Sequence, residues 1–294
     1  MKLPMHHRRL LASFLGILAL SGIAAADSAP QSSLVTLETG SIATMVMPDD
    51  SQTLQGLVVL IHGWSGSRDE VGNLFKRQAA LLAKQGIASL RMGIRGESER
   101  AASGYRLTST FLTRVADAKA GVDWLQAQHP NLPLGLLGFS YGGATALELI
   151  SQSPTRYDSV VLWSTTVNPN DIFANTGRAS ALRQAISTGE GEFEDWTTLT
   201  ITREHILGMI GFDPLRGLSA YQGALLSLHG AEDYLPLYGP TIIERTGGER
   251  AEYHVLKGAD HIFNVFDEGK TYGDRVLEIS LEWLVSTLNP QYSQ

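Results

Sequence analysis

The sequence predicts an α/β fold with a doubly wound, mostly parallel central sheet. Three observations carry that reading. Short apolar runs alternate along the chain with amphipathic segments of helical period. Most of the early runs are near-continuously apolar, as strands covered on both faces must be; Leu57–Ile61, Leu134–Leu137 and Ser159–Trp163 are the clearest. The Leu134–Leu137 run leads straight into Gly138-Phe-Ser-Tyr-Gly142, a G-x-S-x-G pattern set between a strand and a helix.

Taken in order, the chain begins with a basic stretch carrying Lys2, Arg8 and Arg9. The uncharged run Leu10–Leu20 and then Ala24-Ala25-Ala26 follow. This is the composition of a signal peptide over residues 1–26, cleaved near Ala26, and it predicts a periplasmic or secreted protein. The apolar run is short for a membrane span, and the surroundings of Arg8-Arg9 match the twin-arginine pattern poorly. Removing the three basic residues takes the net charge from −7 to −10. An acidic surface of that kind speaks against nucleic acid or anionic membranes as partners. No cysteine is present, so there is no disulfide framework and no lipid-modified cysteine.

Residues 27–294 read as one α/β domain, starting with a small polar leader over 27–33. Leu34–Glu38 and Ile42–Met47, around Thr39-Gly40-Ser41, form an edge hairpin. Strands are expected at Leu57–Ile61, Ile87–Arg91, Leu134–Leu137, Ser159–Trp163, Ala224–Leu228 and Tyr253–Leu256. Ile87–Arg91, with Ser89 and Arg91, departs most from an apolar run. Between the strands, Val71, Leu74, Phe75, Gln78, Leu81 and Leu82 keep helical spacing up to Gly86. Phe111, Val115, Ala118, Val122 and Leu125 do the same up to His129-Pro130. Val276, Ile279, Leu281 and Trp283–Leu284 give a last helix. From about residue 165 to 218 no expected strand occurs, far beyond an ordinary connection. The stretch includes Phe173, Phe193, Trp196, Ile206 and Phe212, too apolar for a linker. It is expected to be a mostly helical insertion acting as a lid over the sheet's C-terminal edge.

In the elbow, Gly138 and Gly142 leave room for a turn so tight that the Ser140 hydroxyl stands out above the sheet. A serine hydroxyl needs a base to take its proton and a third group to hold that base. In an open α/β sheet both come from loops at the C-terminal ends of strands. His229-Gly-Ala-Glu-Asp233 and Lys257-Gly-Ala-Asp-His261 stand there, so Asp233 and His261 are the candidate acid and base for Ser140. The Tyr141 N–H and the Trp64 N–H, in His62-Gly-Trp-Ser-Gly66, are the candidate oxyanion donors. Only one glycine follows His62, which predicts an ordinary acyl pocket.

These motifs, with Ile94-Arg-Gly-Glu-Ser98, resemble those of α/β-hydrolase-fold serine hydrolases. Within that group the chain is similar to bacterial cinnamoyl/feruloyl-esterase-like and acyl-peptidase-like members. Such proteins commonly read Asp-x-Arg-Gly-x-Gly-x-Ser in the second block; here Gly93 stands in place of the Asp and the stretch from Gly96 to Ser98 is shorter. The resemblance implies a serine esterase that works through an acyl-enzyme on a small-molecule ester, with no cofactor. Peptide or amide cleavage is the variant reading. A hydrolase fold kept as a binding module is the alternative class, which reaction with an organophosphonate would exclude. Dehalogenation would need Asp at the elbow. Trp64, Phe173 and Trp196 are the candidate substrate contacts.

Of the remaining polar residues, His62 and His229 are expected to brace loops, and Asp260 to brace its own. Asp213 is expected to cap a turn, and Arg95 to pair with a carboxylate. His129, His205 and His254 are expected to be structural or at the surface. No spacing of His and carboxylates suggests zinc.

Overall fold

The computed structural model describes residues 30–97, 100–101, 104–173 and 176–288. The expected signal segment 1–26 lies outside the described residues. The first strands, β1 (Gln31–Thr36) and β2 (Ile42–Met47), pair antiparallel as the expected hairpin. Then come β3 (Gly56–Ile61), α1 (Leu74–Ala83) and β4 (Ile87–Met92). The short strands β5 (Arg100–Ala101) and β6 (Gly104–Leu107) precede α2 (Phe111–Gln128), β7 (Leu134–Phe139), α3 (Tyr141–Gln152) and β8 (Ser159–Trp163). The main sheet is completed by β11 (Ala224–Gly230) and β12 (Ala251–Leu256), with α6 (Gly239–Arg245) between them and α7 (Tyr272–Leu288) after them.

The eight strands lie in the order β1-β2-β4-β3-β7-β8-β11-β12. Only the β1–β2 and β2–β4 pairs are antiparallel; the other pairs are parallel. Every residue of β3, β4, β7, β8 and β11 is buried, which is why these runs lack hydrophobic alternation. Along β3, Leu57, Val59 and Ile61 enter one core, with α2 and α3. Val58 and Leu60 enter the other, with α1 and α7. Ser89 and Arg91, the residues that mark β4 as irregular, are buried too. Arg91 keeps its charge beside Asp69, which accepts from its guanidinium.

The segment after β8 is richer than a helical insertion. It holds α4 (Thr176–Thr188) and α5 (Arg203–Leu207), as a helical reading expects. It also holds β9 (Glu190–Glu194) and β10 (Thr198–Thr202), which no part of that reading foresees. β9 and β10 pair antiparallel, and β10 runs parallel to β6, so a second sheet forms in the order β5-β6-β10-β9. The signal was present in Thr198-Leu-Thr-Ile-Thr202, which has the two-residue period of a strand. Its partner β6 comes from a stretch nearly a hundred residues earlier, which local pattern cannot supply.

Candidate active site

Ser140 sits between the last residue of β7 and the first of α3, at φ 52° and ψ −116°. For a side chain this is a strained backbone, and the surroundings enforce it. The Ser140 N–H donates to the Trp163 carbonyl (2.8 Å). A Cβ on Gly142 would stand 1.9 Å from the Ile61 carbonyl oxygen, and one on Gly138 2.5 Å from that of Gly142. Only glycines let β3, β7 and α3 close to this distance.

The two loops after β11 and β12 bring the partners. His261 Nε2 is 3.1 Å from Ser140 Oγ, and its Nδ1 is 2.9 and 3.0 Å from the two Asp233 oxygens. The Asp233 side chain is fully buried and Oδ1 also accepts from the Leu235 N–H (2.8 Å). Burial by itself would raise its carboxyl. The hydrogen bond and charge of His261, the Leu235 N–H and His229 outweigh that and hold it below the usual range. His229 Nε2 lies 3.1 Å from the other oxygen, beside the acid rather than the serine, in a close approach without hydrogen-bond geometry. Asp260 accepts from Ile262 N–H and Asn264 N–H (3.0 and 2.7 Å). It thereby winds the loop through left-handed Phe263 and Asn264, and it is a bracing residue as expected. A hydroxyl bonded to an imidazole that is itself held by a buried carboxylate can give up its proton as it attacks an electrophile.

The turn after β3 faces the elbow and is held from outside its own sequence. Gly63 N–H donates to Glu70 Oε2 (2.7 Å) and Ser65 N–H to Glu97 Oε2 (3.2 Å). The His62 carbonyl accepts from Arg114 Nη2 (2.7 Å). Among the described residues, Trp64 N–H donates no backbone hydrogen bond to the turn, whereas its neighbours Gly63 and Ser65 are engaged. Glu97 and Arg114 form a fully buried ion pair, which Ser109 joins through its hydroxyl. Burial alone would raise the Glu97 carboxyl; Arg114, the two histidines His205 and His62, and Ser109 bring it below the usual range. Glu70, buried at φ 58°, is raised by burial, and the Gly63 and Val71 N–H groups offset only part of that. Its side chain also accepts from Val71 N–H (2.8 Å). His62 braces the turn through Nε2, which accepts from Ile94 N–H (3.2 Å).

The sequence pattern does not mark Glu70 or Arg114, and it gives Glu97 only a place in the Ile94–Ser98 block, without a role. His205, expected to be structural, is buried, and its Nε2 accepts from the Trp64 indole N–H (2.8 Å). Arg95 pairs with Asp117 and Asp213 caps a turn at Leu215, both as expected. His254 is at the surface beside Glu252, and His129 ends α2.

Ser140 and His261 open into a cavity of about 490 Å³. Its walls carry Trp64, Tyr105, Phe139, Trp196, Tyr234 and Phe266, with Ile172, Arg178 and Asp195 from the insertion. Two of the expected substrate contacts are therefore in the wall, Trp64 and Trp196. Phe173 is not. It is buried with its ring edge-on to Trp64 (5.8 Å), and its neighbour Ile172 takes the wall position. Among the described residues, no group of three or more His, Cys, Asp or Glu could hold a metal ion, and no helix is long and apolar enough to cross a membrane.

Known proteins of similar sequence or fold are as follows. A sequence model of the family described as Hydrolase_4, serine aminopeptidase S33, matches residues 52–191, just under half of the chain and inclusive of Ser140. A monoglyceride lipase of Mus musculus is 31% identical over 137 residues, which is 45% of this chain and 42% of the relative. The alignment thus spans less than half the length of that relative. Est1E from Butyrivibrio proteoclasticus superposes with a TM-score of 0.63 at 17% identity, over 87% of this chain and 99% of that one. A second structure of it has ferulic acid bound. The acylaminoacyl peptidase of Pyrococcus horikoshii gives 0.65 at 15% identity, over 90% of this chain and 42% of that one.

Proposed function

We propose that the chain, which has the α/β-hydrolase fold, is a serine hydrolase that cleaves carboxylic esters through an acyl-enzyme on Ser140. His261 takes the serine proton and returns it to the leaving alcohol. Asp233 holds the imidazole in the tautomer that allows this. The N–H groups of Trp64 and Tyr141 receive the oxyanion; Tyr141 is the first residue of α3, where the helix dipole favours negative charge. Water then repeats the sequence on the acyl-enzyme and frees the acid.

The observation that carries this reading is the continuous hydrogen-bonded chain Ser140–His261–Asp233 at the mouth of a cavity walled by six aromatic rings. Aromatic walls favour an aryl or hydroxycinnamoyl acyl group, which stacks and buries its ring. The insertion supplies Ile172, Arg178, Asp195 and Trp196 to those walls, which supports its role in choosing substrates. The composition of residues 1–26 supports export as part of the same reading, and fractionation of cells expressing the chain with and without residues 2–26 tests it.

The test of function is a panel of small aryl, short-chain and hydroxycinnamate esters with aminoacyl anilides. Hydroxycinnamate esters are expected to give the highest kcat/KM. Ser140→Ala is expected to lower kcat about 10⁴-fold or more with no change in melting temperature. Asp233→Asn is expected to cost nearly as much, and Asp260→Asn less than about threefold in rate. A folded Ser140→Ala that keeps a tenth of the activity removes the nucleophile assignment. Preference for anilides over esters moves the reading to an amidase.

A further inference from the structure

Trp64 has two attachments of different kinds. Its backbone belongs to the turn after β3, while its side chain meets four residues of the segment between β8 and β11. The indole stacks flat on Phe193 of β9, with centroids 5.8 Å apart and planes 2° from parallel. Phe173 meets it edge-on at 5.8 Å. The Arg178 guanidinium of α4 lies 5.4 Å from its ring centroid. Its N–H donates to His205 Nε2 of α5 at 2.8 Å.

The His205 bond has a defined sense. His205 Nδ1 lies 2.6 Å from the Ser109 carbonyl oxygen, so Nδ1 carries the proton and Nε2 offers its lone pair to the indole. Burial pushes His205 below its usual pKa, against the pull of Glu97, which keeps the ring neutral as an acceptor must be. Thr202 Oγ1 accepts from the His205 N–H and fixes the residue at the start of α5. The side chain thus meets four residues between 173 and 205, while its backbone follows Gly63, which packs against Ser140 in another part of the fold.

We propose that this segment is more than a cover for the cavity: through His205 it is the support that aims the Trp64 N–H at the oxyanion, with His205 as the positioning residue. This rests on the proposed serine esterase reading. Tyr141, the other donor, needs no such help. It begins α3 inside the core, packed on Phe111 and under the Arg114 guanidinium. The Trp64 turn is different: Gly63 and Ser65 on either side are tied through their N–H groups to Glu70 and Glu97, and Gly66 N–H reaches the Gly63 carbonyl, whereas Trp64 itself is tied through its side chain to His205. Oxyanion donors act only when placed to within a fraction of an ångström, and a small displacement is felt in the rate rather than in binding.

The experiment uses the full chain and 4-nitrophenyl acetate, a substrate too small to depend on the cavity walls. Trp64→Phe keeps the stacked ring and removes the N–H. His205→Phe keeps a ring and removes the acceptor. His205→Gln puts a carbonyl oxygen where Nε2 stands. Trp64→Phe and His205→Phe are each expected to lower kcat about 10- to 100-fold with KM within about twofold, and the double variant to be no worse than either single one. Affinity for an aryl trifluoromethyl ketone, which forms a tetrahedral adduct, is expected to fall in parallel with kcat. His205→Gln is expected to keep most of the activity. Should burial of the new ring unfold His205→Phe, the half-buried Trp64→Phe with His205→Gln carries the test.

A loss confined to KM, additive losses in the double variant, or unchanged rates would overturn the proposal and leave the segment a cover only. Labelling of Ser140 by a fluorophosphonate separates the two readings. Without labelling in the unaltered protein, the esterase reading itself fails. With labelling and unaltered variant rates, only the positioning role fails.

Discussion

The elbow around Ser140 and the turn around Trp64 face each other across the same few ångströms, yet they are built by opposite means. The elbow is made by contiguous residues. Gly138 and Gly142 admit the close approach of β3 and α3, and the Ser140 N–H finds Trp163 on the neighbouring strand. The turn over residues 62–66 is made by distant ones. Its backbone groups are claimed by Glu70, Glu97 and Arg114, and its tryptophan by residues 173–205. The lesson is that the proposed nucleophile is placed by steric exclusion, while its proposed oxyanion partner is placed by a buried polar network. Steric placement fails abruptly when a methyl is added. Placement by a network fails by degrees, and it responds to charge and pH.

Three experiments separate these two kinds of placement. Gly142→Ala breaks the elbow outright, since its Cβ would stand 1.9 Å from a carbonyl oxygen of the central strand. Activity is expected to fall below detection. Urea unfolding is expected to show a loss at or above the upper end of the usual overpacking range of about 1–3 kcal/mol. A fully active Gly142→Ala would mean that the elbow can open without consequence and that Ser140 is not placed by steric exclusion.

Glu97→Gln is next in size. It leaves the Arg114 charge buried without its counter-ion, which is expected to cost about 3–5 kcal/mol in urea unfolding. It also weakens the acceptor for Ser65 N–H, so kcat is expected to drop while Ser140 still reacts with a phosphonate. An equal loss of labelling and of turnover would show that the network supports the elbow as well as the turn.

The smallest effect is a pH dependence of stability contributed by His62 on the networked side. Burial, with the Arg114 charge nearby, lowers His62 in the folded protein to about 4 from its ordinary 6.5. Between those values the unfolded chain binds a proton that the folded one refuses. The stabilisation is therefore complete above pH 6.5 and is lost as pH falls towards 4, by about 3 kcal/mol across the window. Urea midpoints at pH 7 and pH 4.5 measure it. His62→Gln is expected to flatten the slope, and an unchanged slope would assign it to other groups.

Much of this arrangement was legible before any tertiary contact was known. Strands β3, β7 and β8 of the main sheet announce themselves because a strand buried on both faces is apolar nearly throughout, and a helix packed on one side must repeat near 3.6 residues. Ser140, Asp233 and His261 could be picked out because each lies just beyond the end of a strand, where the fold leaves loops free to carry chemistry. Local spacing holds all of that information. The second sheet was half visible, in the alternation of Thr198–Thr202, but its partner strand lies at 104–107. Phe173 has the local pattern of a substrate contact, yet the structure turns it edge-on to Trp64 and gives the wall to Ile172.

What tertiary structure alone decided is the support of the Trp64 turn. Glu97 stands 32 residues from Ser65, Arg114 stands 52 from His62, and His205 stands 141 from Trp64. A polar residue that will be buried against such a partner has the same local pattern as one facing water. Burial makes the pairing obligatory, because an unpaired charge or N–H inside the protein is costly, and burial is a property of the assembled fold.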